Sequence, residues 1–198
     1  SYPTVTVDAG DFSMGSLFQT IYAVDAPELR ALGAMGYDAV TLGNHEFDYR
    51  PQGLADMLTA AKESGETLPA VVQANYRIPK EPGAQVAAEA MDNYPVTDYT
   101  VIERDGLRVA VFGVMGVDSD ECAPMSGMTL EPVAEAAKRV VAEIRAKEEP
   151  DFIICLSHTG TEEGKGEDYE LAKAVDGIDL IISGHTHTTL PEPIQVGN

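Results

Sequence analysis

Leu180-Ile181-Ile182-Ser183-Gly184-His185-Thr186-His187 is a short apolar run that stops at a glycine and then presents two histidines. So short an apolar run, with no polar alternation, reads as a strand buried on both faces. The same device recurs upstream. Residues 152–156 (Phe-Ile-Ile-Cys-Leu) lead into Ser157-His158, residues 39–42 into Gly43-Asn44-His45, and residues 4–7 into Asp8-Ala9-Gly10-Asp11. Between these strands lie helical patterns. Residues 27–35 open with a proline and close at Gly36, and residues 53–64 carry Leu54, Met57, Leu58 and Ala61 at helical spacing before Gly65. Residues 132–147 place Val133, Ala136, Ala137, Val140, Val141 and Ile144 on one face, and residues 168–175 form a shorter helix.

Residues 70–74 read as a further strand, and Asp105-Gly106 between two β-rich runs (99–104 and 107–114) reads as a hairpin turn. Residues 194–196 start another strand. Residues 76–97 hold Pro79, Pro82, Gly83 and Pro95 without a sustained period, and are expected to be an irregular surface insertion. Strand–helix alternation with near-continuous apolar strands predicts an α/β fold of largely parallel sheet flanked by helices, in one domain over residues 1–198.

Composition narrows the partners. Thirteen Lys and Arg stand against 33 Asp and Glu, a formal net charge of −20, and no basic stripe interrupts the acidic surface. A nucleic-acid polymer is therefore not expected as a partner. A small anionic substrate needs a local positive centre, which divalent ions supply. No apolar stretch approaches the length of a membrane span. Two cysteines, Cys122 in a polar loop and Cys155 inside an apolar run, imply no disulfide framework. Nothing in the chain sets an oligomeric state.

The four histidines, His45, His158, His185 and His187, all follow the carboxyl end of an expected strand, as do Asp11 and Asn44. In an open α/β sheet that rim is where ligands bind. Imidazole and carboxylate donors gathered there suit transition-metal ions. Taken singly, Asp8 and Asp11 around Gly10 are ordinary turn residues, and Gly43-Asn44 is a left-handed turn, a conformation Asn tolerates. Together they amount to a metal site.

Gly10-Asp11, Gly43-Asn44-His45-Glu46, the isolated His158 and Gly184-His185-Thr186-His187 resemble four of the five signature blocks of the calcineurin-like metallophosphoesterases, in that family's order. The longer forms Asp8-Ala9-Gly10-Asp11-Phe12 and Gly43-Asn44-His45-Glu46-Phe47-Asp48 are similar to its 5′-nucleotidase and 2′,3′-cyclic-nucleotide phosphodiesterase branch. The resemblance implies that family's sandwich of β-sheets between helices. It also implies two divalent ions (Mn, Zn, Fe, Mg, Co or Ca) and water-driven hydrolysis of a nucleotide-like phosphate ester. By the resemblance Asp11 bridges both ions, Asn44, His158 and His185 hold the second, and His187 holds the first. His45 is the catalytic histidine and binds no metal, Asp48 orients it, and Glu46 shapes the loop.

The family's first block, an Asp-x-His, does not occur upstream of Asp11. The resemblance therefore leads us to expect an N-terminal extension carrying it, a first metal site incomplete within these residues, and a C-terminal substrate domain lying beyond them. Export or attachment to the cell surface is likewise implied only by the resemblance. Two other readings stay open: a metal-binding fragment without turnover, and hydrolysis of a different ester, such as a nucleotide-sugar pyrophosphate or a sulfur ester.

Overall fold

The computed structural model describes residues 2–197. In chain order its elements are β1 (Val7–Asp8), α1 (Tyr22–Asp25), α2 (Pro27–Ala34), β2 (Ala39–Val40), α3 (Arg50–Glu63), β3 (Ala70–Val71), β4 (Ile78–Pro79), α4 (Gln85–Asn93), β5 (Tyr99–Arg104) and β6 (Leu107–Met115). They continue with α5 (Val117–Cys122), β7 (Met128–Thr129), α6 (Val133–Lys147), β8 (Phe152–His158), α7 (Glu167–Ala174) and β9 (Leu180–Ser183). Strands β1-β2-β3 form a parallel sheet. Strands β5-β6-β8-β9 form a second sheet, antiparallel only at the β5–β6 hairpin. The α/β architecture expected from the sequence is thus realised as two main sheets, with β4 and β7 forming a small antiparallel third.

Side-chain alternation along the strands explains the layering. Ala39, Val72, Val109, Val111 and Leu156 meet in one cluster between the two sheets. Their neighbours of opposite parity turn outward: Val40, Leu42 and Val71 pack under α1–α4, while Ala110, Phe112, Val114, Ile153 and Cys155 pack under α6 and α7. The sequence of layers is helix, sheet, sheet, helix. Burial from both sides is why residues 153–156 of β8 read as continuous rather than alternating. β9 differs from expectation: it is an edge strand, paired among the described residues only with β8, its Leu180 is half exposed, and Ile181 and Ile182 are only partly buried.

The sheets approach each other closely at Gly113. A Cβ there would lie 2.2 Å from the Val72 carbonyl oxygen and 2.3 Å from Thr41 Oγ1. Across the same gap the Ala74 N–H donates to the Gly113 carbonyl at 2.8 Å. A side chain at 113 would wedge the layers apart.

Residues 76–97 differ from expectation. They contain β4, which pairs with β7, and the nine-residue helix α4, whose Ala87, Ala90 and Met91 are buried against α3. The segment belongs to the core. Its helix is as amphipathic as those the sequence reveals, but the prolines on either side of it give the stretch the look of a loop. The expected strand at 194–196 is not formed, and Asn198 lies outside the described residues. Cys122 ends helix α5 rather than occupying a loop.

Candidate metal centre

β1 and β2 end side by side in one sheet and β8 and β9 in the other, and contacts from His158 to the Ala9 carbonyl and from His158 and His185 to Asn44 bring the loops that leave them to one rim. Asp11, beyond β1, has φ +64°, and His185 and His187, beyond β9, have φ +74° and +52°. These left-handed conformations are uncommon outside glycine and mark turns held by their surroundings. Asn44 is not left-handed, contrary to the turn reading, but right-handed with φ −68°. It precedes a helical turn formed by His45–Phe47.

Glu46 fastens the first two loops together. Its carboxylate is fully buried and accepts from the Asp11 N–H at 2.9 Å and the Ser13 N–H at 3.0 Å, as well as from the Gly43 N–H. The Tyr22 hydroxyl donates to the Glu46 carbonyl at 3.0 Å. Burial pushes the Glu46 carboxyl above its ordinary range, and the nearby negative charge of Asp11 adds to this, against the N–H groups of Gly43 and Ser13. Its geometry is that of a loop clamp.

Four donors converge above this clamp. His158 Nε2 lies 3.0 Å from Asp11 Oδ2 and 3.1 Å from Asn44 Oδ1, and His185 Nδ1 lies 3.0 Å from the same Asn44 oxygen. Asp11, His158 and His185 each offer an atom within 4.8 Å of the others. Close backbone approach makes this possible. A Cβ on Gly43 would fall 2.3 Å from Asp11 Oδ1, and one on Gly184 would fall 2.9 Å from His158 Nδ1. His158 is 1% exposed, and its Nδ1 meets the Ala9 carbonyl at 2.7 Å, so that nitrogen carries a proton and Nε2 faces the cluster with its lone pair free for a cation.

Burial works against a charge on Asp11. The hydrogen bond and charge of His158, with the His45 backbone N–H, outweigh it and hold the carboxyl below its ordinary value. Burial likewise depresses His158, yet Asp11 and the Ala9 carbonyl leave it above its ordinary value. Asp11 and His158 thus hold each other in place within the inner cluster. Its donors also fit a divalent ion: separations of 3.0–3.1 Å match those between adjacent ligands on one ion with bonds of about 2.1 Å.

His45 and Asp48 stand beside this group. His45 Nδ1 is 2.9 Å from Asp48 Oδ2, which also accepts from Gln19 Nε2 at 3.2 Å. The His45 backbone N–H donates to Asp11 Oδ1 at 2.9 Å, placing the imidazole at the edge of the cluster without joining it. His187 lines the same cleft of about 340 Å³ as Asp11, His158 and His185. It belongs to neither close group of donors found among the described residues. Asp118 escaped the sequence reading: its Oδ2 lies 2.7 Å from His185 Nε2. It follows β6, so the rule that polar residues after strand ends face the rim applies to it too; only the lack of a histidine or a motif kept it from notice.

The calcineurin-like phosphoesterase family model matches residues 3–189. The chain is 34% identical to the trifunctional nucleotide phosphoesterase protein YfkN of Bacillus subtilis, with 98% of this chain and 14% of that protein aligned. It is 31% identical to an apyrase of Tabanus yao, over 94% of this chain and 30% of the apyrase. Among solved structures, a 5′-nucleotidase precursor from Thermus thermophilus superposes with a TM-score of 0.76 at 30% identity, covering 96% of this chain and 34% of that one. The chain thus spans about a third or less of the length of these relatives. With the family match running nearly end to end over a layered α/β fold whose rim gathers Asp11, Asn44, His158 and His185, the chain belongs to the calcineurin-like phosphoesterase family, hydrolases that act on phosphate esters with divalent metal ions.

Proposed function

We propose that this chain is the catalytic domain of a metal-dependent nucleotidase or cyclic-nucleotide phosphodiesterase with a two-metal site. The carrying observation is the convergence of Asp11, Asn44, His158 and His185 at 3.0–3.1 Å spacing beside a separate His45–Asp48 pair. In this reading Asn44, His158 and His185 would hold one ion, Asp11 would be shared, and His187, which lines the same cleft, would serve the other. Divalent ions at this place polarise phosphoryl oxygens and acidify water. The residues of the chain position everything else.

Asp48 fixes the His45 tautomer by accepting from Nδ1, which turns Nε2 toward the substrate side. From there His45 donates a hydrogen bond to a phosphoryl oxygen, or a proton to the departing alcohol. Glu46 and the glycines at 10, 43 and 184 keep the loops close enough for the donors to meet. The names of the relatives, a nucleotide phosphoesterase, an apyrase and a 5′-nucleotidase, support a nucleotide as the small anionic substrate. The description of the Thermus thermophilus relative as a precursor supports an exported location.

The test is a substrate panel. Protein loaded with manganese or zinc is offered nucleoside 5′-monophosphates, nucleoside triphosphates, 2′,3′-cyclic nucleotides and a nucleotide sugar, and phosphate or nucleoside release is followed with and without chelator. Chelator-sensitive hydrolysis of a nucleotide is the expected outcome. Tight metal binding with no turnover of any ester would overturn the proposal in favour of a metal-binding domain.

A further inference from the structure

Helix α5 brings a second set of donors to the outer side of His185. Asp118 and Cys122 are four residues apart on this helix and so project from one face. One atom from each of Asp118, Cys122 and His185 lies within 4.8 Å of the other two. His185 is the hinge of the arrangement: Nδ1 faces inward, 3.0 Å from Asn44 Oδ1, and Nε2 faces outward, 2.7 Å from Asp118 Oδ2. The Asp118 contact alone would be an orienting hydrogen bond. The sulfur of Cys122 in the same few ångströms makes the trio a donor set.

We propose that Asp118, Cys122 and His185 form a second, rim site for a thiophilic divalent cation of the zinc or cadmium kind, and that filling it withdraws His185 from the inner donor group. Carboxylate, thiolate and imidazole are each ordinary zinc ligands, and three protein donors with one open position make a familiar zinc environment. A thiolate favours such ions over magnesium or manganese. The Asp118 side chain is 66% exposed and Cys122 is exposed, so a cation reaches the site directly from solvent. Binding forms one bond from the cation to each donor and releases the Cys122 thiol proton to water. No oxidant is involved.

The exclusivity comes from imidazole chemistry. A neutral imidazole has one lone-pair nitrogen and one N–H. With Nδ1 turned to an inner ion, the proton sits on Nε2 and points at Asp118. With Nε2 on a rim ion, the proton moves to Nδ1 and donates to Asn44 Oδ1, at the distance already present. One ring cannot serve both sites in its neutral form. The rim site is therefore an inhibitory one, sensitive to excess zinc or to cadmium. It does not depend on what ester the inner centre hydrolyses.

Cadmium titration of the full chain, followed by ultraviolet absorption, tests this directly, because the sulfur-to-cadmium charge-transfer band requires a thiolate ligand. The other cysteine, Cys155, is fully buried within the sheet and cannot contribute. The wild-type protein is expected to gain the band, and Cys122→Ser, at an exposed position, to lose it. Asp118→Ala should weaken cadmium binding about tenfold or more, while Asp11→Asn, which alters only the inner group, should keep the band. Nitrogen-15 NMR of the His185 ring should show the Nδ1–H tautomer in the cadmium form. No band in the wild type, or a band indifferent to both Asp118→Ala and His185→Asn, would overturn the rim site. A cadmium form with Nδ1 bound to metal would overturn the exclusivity.

Discussion

At the scale of single residues, the proposed chemistry divides groups assigned to hold an ion from groups that are not. His158 and His185 point ring nitrogens at Asn44 Oδ1, whereas His45 turns its Nδ1 to Asp48. That division is directly measurable. His45→Asn should reduce turnover by roughly 10²–10⁴-fold with bound metal nearly unchanged by elemental analysis. His185→Ala should lose metal together with activity. A His45→Asn protein that no longer binds metal would show that the assigned roles are wrong. The position of all four histidines near the rim was legible in the sequence because each sits just past an apolar strand. Asp118 was not, since an acidic residue in a chain with 33 of them carries no signal until its neighbour is known.

At the scale of elements, the strand ends and the helices behind them set the rim. Helix α3 presents Leu54, Met57, Leu58 and Ala61 inward, as its spacing predicts, and burying each of the larger side chains is worth about 1.5–3 kcal/mol. Helix α4 packs on it through Ala87, Ala90 and Met91, although the sequence around it reads as irregular. The helix is thus tested by its largest buried side chain. Met91→Ala should cost about 2–5 kcal/mol, read as a lower denaturant midpoint with an unchanged slope. A surface insertion would lose almost nothing. Prolines at 79, 82 and 95 hid the helix because they flank it rather than interrupt it; proline marks boundaries, and three within twenty residues look like a loop.

At the scale of the whole molecule, two features stand out, the contact between sheets and the excess of acid. Gly113→Ala would place a methyl carbon against the Val72 carbonyl, and should cost at least about 1–3 kcal/mol. Differential scanning calorimetry would register it as a lower melting temperature without loss of helix content. Glu28 offers a pH-dependent test. Both its carboxyl oxygens are buried without a hydrogen-bond partner, and burial raises its carboxyl above the ordinary value. A raised carboxyl supports the fold fully below the unfolded value and loses that support as pH climbs through the folded value. Glu28→Gln should therefore melt higher than wild type at pH 7, with the difference shrinking toward pH 4. A difference that grew on acidification would contradict the assignment.

By itself the sequence determined the strand–helix alternation, the rim on which His45, His158, His185 and His187 stand, and the resemblance carried by Gly43-Asn44-His45-Glu46 and Gly184-His185-Thr186-His187, because these depend on local periodicity and residue type. Only the tertiary structure decided that the strands form two sheets facing one another across Val72, Val111 and Leu156. It also decided that Glu46 ties the first two loops, and that α5 sets Asp118 and Cys122 against His185. Those are contacts between residues tens of positions apart. Their free energy comes from burial and hydrogen bonds made only once the layers close, and no local pattern encodes them.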